Sequence, residues 1–126
     1  PLAWAMTLQN LGIVLMDPDL PGDRSAHQER ALAALEAALE IVSRETMPHR
    51  WAELRGNVGA IYAKRLTGNR IANLHAAIAA FTDALEIQTK GSVAWAQAQH
   101  NLGGAFGELA MLDGDRTSTV MPGFRS

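Results

Sequence analysis

The side chains that could carry chemistry are few and scattered. His27, His49, His75 and His100 fall in four separate segments, with no His-Glu-x-x-His or His-x-x-x-His pair to converge on a metal. Asp17, Asp19 and Asp23 crowd one stretch with Pro18 and Pro21. They lack the glycine-centred calcium loop and its closing glutamate. Ser43 and Ser92 have no neighbouring base that would make either a nucleophile, and the chain contains no cysteine. Catalysis needs groups that converge, so these residues predict no enzyme, no metal and no cofactor. What does recur is an amide. Asn10, Asn57 and Asn101 each stand six residues after a tryptophan: Trp4, Trp51 and Trp95.

That recurrence belongs to a longer repeat. Aligned on tryptophan, the chain reads WAMTLQNLGIVL, WAELRGNVGAIY and WAQAQHNLGGAF. An aliphatic residue and a glycine follow each asparagine (Gly12, Gly59, Gly103), and Leu15, Tyr62 or Phe106 comes three residues after the glycine. Further on stand PGDR at 21–24, TGNR at 67–70 and DGDR at 113–116. Behind the first two, ALAALEAALEI at 31–41 matches AIAAFTDALEI at 77–87. The chain is a tandem repeat, with units of about 1–46 and 47–91 and a partial third at about 92–116.

Both halves of the unit read as helices. Trp51, Leu54, Val58 and Ile61 with Tyr62 mark one apolar face, and Ile78, Phe81, Ala84 and Leu85 mark the other. Strict alternation and β-branched runs are missing. A helix of about 16 residues is ~24 Å long, and two of them make a hairpin with a shared seam. The Gly-(Asp/Asn)-Arg triplets are its punctuation: glycine closes the first helix at positive φ, and the Asp or Asn begins the second. A phosphate-binding reading fails for want of a preceding strand and a Lys-Ser/Thr. A mid-helix glycine costs ~1 kcal/mol relative to alanine, so Gly12, Gly59 and Gly103 imply close approach by a neighbouring helix. The expected helix count is five. Pro122 and Gly123 stand where a sixth would be, and 117–126 is expected to be an irregular tail.

The pattern resembles the tetratricopeptide repeat (TPR). Leu11-Gly12-Leu15, Val58-Gly59-Tyr62 and Leu102-Gly103-Phe106 fit that family's first helix, while Ala31-Leu35-Ala38 and Ala77-Phe81-Ala84 fit its second. The unit is longer than the family's roughly 34 residues. Its tryptophan also lies eight residues before the glycine, where the family places it four before. The longer unit is similar to the extended varieties of kinesin light chains and of bacterial proteins. The resemblance implies an all-α, right-handed solenoid of antiparallel helix hairpins, five helices in about two and a half repeats.

It also implies a function: a non-catalytic scaffold that binds a protein or peptide on the concave face formed by its first helices. The residues it places there are Asn10, Asn57, Asn101, Glu53, Lys64, Gln97 and His100, with Gln9, Met16 and Glu108 beside them. An asparagine can both donate to and accept from a peptide main chain. It can equally tie adjacent helices, and both roles remain open. The tryptophans pose the same pair of alternatives, inter-repeat packing or recognition. Members of the family that clamp a carboxylate use basic residues where this chain has Gln97 and Asn101, which argues against a chaperone-tail adaptor. Two further readings stand beside the scaffold: a regulatory segment of a larger enzyme, and a self-association module. The latter would act through Phe106, Leu109 and Leu112, left uncovered on the uncapped third-repeat helix.

Composition narrows the partners. With 48% hydrophobic and 19% charged residues, the 126-residue chain has enough apolar content for a core and is not of the disordered type. A net charge of -2 offers no electrostatic footprint for nucleic acid or an anionic membrane. No apolar run reaches the roughly 18 residues of a spanning helix. PLAWAM has neither a basic leader nor a cleavage site, and the absence of cysteine suits a reducing compartment, so a cytoplasmic location is expected. Opening on Pro1, the chain reads as a piece excised from something longer.

Overall fold

The computed structural model describes residues 1–120, with side-chain surroundings for residues 1–113. Five α-helices account for its secondary structure: α1 (Leu2–Leu15), α2 (Arg24–Ile41), α3 (Pro48–Lys64), α4 (Arg70–Ile87) and α5 (Val93–Val120). There is no strand among the described residues.

Local signals explain where each helix begins. The Asp23 carboxylate accepts from the Ser25 N–H at 3.0 Å, and the Asn69 side chain accepts from the Ala72 N–H at 2.9 Å, so both are N-caps. Pro48 opens α3, where a missing N–H costs nothing. The Ser92 hydroxyl takes the Trp95 N–H at the start of α5. Extended backbone at Val42, Arg65 and Gln88 ends α2, α3 and α4.

α1 packs on α2, α3 on α4, α2 on α3, and α4 on α5. In the second pair Gly59 faces Phe81 while Arg55, one turn earlier, bonds Asp83, so α3 and α4 run antiparallel. The glycines explain how closely the pairs approach. A Cβ on Gly12 would lie 2.8 Å from Leu35, and one on Gly59 would lie 2.8 Å from the Phe81 ring. Leu35 and Phe81 occupy the same repeat position, and each drops its bulk into the hole its partner glycine leaves. Ala31, Ala38, Ala77 and Ala84, all fully buried, complete these seams.

Three expectations need correction. The triplet glycines do not close the first helix. α1 ends at Leu15 and α3 at Lys64, whereas Gly22 (φ 114°) and Gly68 (φ 81°) stand immediately before the caps of the following helices. Positive φ there aims the chain into α2 and α4. The third triplet does not break the chain at all, since α5 continues through Gly114 as far as Val120. Residues 117–120 are therefore helical, and 121–126, with Pro122 and Gly123, lie outside the described residues. In the second unit the following helix clamps the turn, with Asn73 Nδ2 donating to the Thr67 carbonyl at 2.9 Å. At the third triplet, the residues expected to begin such a helix extend α5 instead. Lastly, Leu109 (9% exposed) and Leu112 pack against α4 beside Leu74, and only Phe106 (52% exposed) stays uncovered.

Candidate functional site: a cleft across three helices

A cleft of about 660 Å³ is walled by α1, α3 and α5, with α4 beneath. Its rim is amide-rich. α3 contributes Glu53, Asn57 and Lys64, and α5 contributes Gln97, His100, Asn101 and Glu108. From α1 come Gln9 and Ile13. Six of the seven sequence-derived site residues thus share one surface. The seventh, Asn10, is exposed on α1 and does not line the cleft. Met16 borders two smaller cavities instead.

The floor is apolar, built from Leu74 and Phe81 of α4 with Ala98 and Ala105 of α5. Leu74 and Phe81 are essentially inaccessible, so the cleft reaches down to the core and no further. Ala60 and Ala63 leave space along the α3 wall. Asn57 and Asn101 are partly buried, while Gln97, His100 and Lys64 are exposed.

Charge in the cleft is mostly committed. The Arg70 guanidinium holds Glu108 in a two-point ion pair across the α4–α5 boundary. That hydrogen bond, with the charge behind it, keeps the Glu108 carboxyl below its ordinary range and pushes Arg70 up. Gln9 Nε2 donates to Glu53 Oε1 at 3.3 Å, tying α1 to α3. Among the described residues one buried polar atom has no hydrogen-bond partner: Gln88 Oε1, at the C-cap of α4.

Gly56, Gln88 and the floor residues were not singled out from the sequence. For Gly56 a signal existed, because it stands where the first unit has Gln9, five residues after tryptophan. Gln88 carries no such mark, since only the packing of α4 under α3 and α5 brings it to the cleft. The tryptophans share a register and differ in surroundings. Trp4 is 59% exposed, whereas Trp51 is partly buried against the core with Arg44 5.2 Å above its ring. Among the described residues no group of three His, Asp or Glu side chains comes together as a metal would require, and no helix is long and apolar enough to cross a membrane.

No protein-family model matches this chain, and no curated protein or solved structure matches it either.

Proposed function

We propose that this chain is a TPR-like solenoid segment acting as a non-catalytic scaffold, and that the cleft across α1, α3 and α5 receives a peptide segment of a partner protein. The observation that carries the reading is the meeting of Asn57, Asn101, Gln97 and Glu53, from corresponding positions of successive units, over one apolar floor. Amides that both donate and accept suit a peptide main chain, and an apolar floor suits its side chains. His100 and the carboxylates at the rim lack the nucleophile–base pairing that chemistry would need.

A peptide-display selection on the immobilised protein tests the reading, followed by affinities for wild type and Asn57→Ala. The expected result is enrichment of linear peptides and at least about a tenfold loss of affinity in the variant, roughly 1.4 kcal/mol. Its helical circular dichroism should be unchanged. Failure to enrich any peptide, or undiminished binding with a sharply lower Tm, would make the asparagine a structural tie and overturn the proposal.

One observation favours a second reading, self-association. Among the described residues a Cβ on Gly103 would meet nothing within 4 Å, so none of them fills here the hole that Leu35 and Phe81 fill in the other units, beside the exposed Phe106. Light scattering over a hundredfold concentration range tests it, and a constant monomer mass rejects it.

A further inference from the structure

We infer that Gly56 opens, between α3 and α5, a receptor for one large apolar side chain carried on an extended peptide backbone. The inference rests on the peptide-binding reading of the cleft and says what within the peptide is selected.

The argument compares corresponding residues in successive units. Gln9 of α1 and Gly56 of α3 occupy one repeat position, and Glu53 of α3 and Gln97 of α5 occupy another. Across the first gap Gln9, buried, reaches Glu53 and bridges α1 to α3. A separate cavity of about 150 Å³ lies beside Gly12 and Leu35. Across the second gap Gln97 is in place, but the bridging residue has become glycine, and a Cβ on Gly56 would meet nothing within 4 Å. Gly56 and Gln97 line the cleft of about 660 Å³, and the Gln9–Glu53 bridge lines the same cleft from the α1 side. Unlike Gly12 and Gly59, Gly56 makes no room for a neighbouring helix. Among the described residues, none fills the room it makes.

The chemistry of the space selects the occupant. Leu74, Phe81, Ala98 and Ala105 form a floor over which a charged side chain would lose its hydration, since the polar groups of the cleft stand at its rim. An aliphatic or aromatic side chain gains by burial there. Gln88 supplies the second, independent mark, an enclosed carbonyl oxygen with no donor. Gln88 lines the cleft, and a main-chain N–H of the occupant that reached this oxygen would supply the missing donor. Extended peptides have such N–H groups free, whereas a docked helix has already used its own. Asn57 and Asn101 flank the position and can take the neighbouring peptide groups.

The test titrates N-acetyl-leucine N-methylamide into the ¹⁵N-labelled chain, with the glycine and aspartate analogues as comparisons. The leucine compound should shift the Gly56 backbone amide and the Gln88 side-chain amide saturably, with Kd on the order of a millimolar, the scale for so small a ligand. The other two should not saturate. Gly56→Gln, which installs the residue α1 uses, should weaken the leucine compound at least tenfold with Tm preserved. Should that variant fold poorly, Gly56→Ala is the smaller filler, and it should lower affinity while raising helix stability. Equal response to leucine and glycine compounds overturns the inference, as does undiminished binding to Gly56→Gln. Selected peptides that bind wild type and Gly56→Gln alike would leave the cleft a peptide site and remove the receptor. Saturable leucine binding without any selected peptide would keep the receptor and remove the broader reading.

Discussion

The boundary between the first and second units and that between the second and third begin from the same repeat and are held by different physics. At the first, polar ties reinforce an apolar core that runs from α1 and α2 to Leu54, Val58 and Ile61 of α3. Gln28, 3% exposed, donates to the Lys64 carbonyl at 2.8 Å and accepts from the Leu66 N–H at 2.9 Å. Arg65 grips Glu29 with two bonds, at 2.7 and 2.8 Å, and Gln9 reaches Glu53. At the second boundary the positions matching Gln28 and Arg65 are Leu74 and Leu109, which join an apolar cluster with Ala105. Among the described residues one ion pair, Arg70 with Glu108, spans it, and the residue matching Gln9 is Gly56. A repeat thus keeps its helix packing while exchanging the means of joining units. The cleft is lined from both boundaries, by Gln9 and Glu53 of the first and by Gly56 and Gln97 of the second.

The comparison can be broken first at the glycines. Gly59→Leu drives a side chain into the fully buried Phe81 ring, so a loss of about 3 kcal/mol is expected. For a chain of this size that is a fall in Tm of roughly 10 °C. A thermal melt equal to wild type would deny the close approach. Next in size is Gln28→Leu, which writes the second boundary's residue into the first. It orphans the Lys64 carbonyl and the Leu66 N–H, and urea unfolding should show a loss of about 1–3 kcal/mol despite the added apolar bulk. A gain in stability would mean the two boundaries are interchangeable.

The ion pairs give a smaller, pH-dependent effect. Hydrogen bonds from Arg65 and from Arg70, with the positive charge behind them, hold the Glu29 and Glu108 carboxyls below their ordinary value of 4.5. A carboxyl with a depressed folded-state pKa stabilises the fold above that ordinary value, and the contribution fades as pH falls through the folded-state value. Their side chains are 41% and 42% exposed, so each pair is worth about 1 kcal/mol or less. Between pH 6 and pH 3 the wild-type Tm should therefore drop more steeply than that of a Glu29→Gln/Glu108→Gln variant. Parallel curves would show that neither pair contributes. The smallest expected change is a gain. Gly103→Ala meets open space, so helix propensity alone acts and raises stability by about 0.5–1 kcal/mol in the melt. A loss would mean that something covers that face of α5 in solution.

Particular residues show how much was legible beforehand. The spacing of tryptophan, asparagine and glycine placed α1, α3 and the start of α5, and the Ala-rich segments placed α2 and α4, because amphipathic period and propensity act locally. Asp23 and Asn69 were readable as caps for the same reason. The triplet glycines were assigned to the wrong side of the turn. Their φ is set by how the chain enters the second helix, and composition does not encode that direction. The third triplet carries the same letters as the first two and lies within a helix, because a turn needs a clamping neighbour as well as a glycine. Six of the seven site residues met because a repeat puts equivalent positions on one side, while Asn10, at the outer helix, lies apart from the cleft.

Taken alone, the residue order settled what local forces settle: helical segments, their caps, the repeat period, and the glycines over which Leu35 and Phe81 close. Which gap stays open, which carboxylate finds which guanidinium, and where Gln88 leaves an acceptor unmatched depend on side chains from different units meeting at ångström range. Distances of that kind follow from how the helices stack, and only the folded chain holds them.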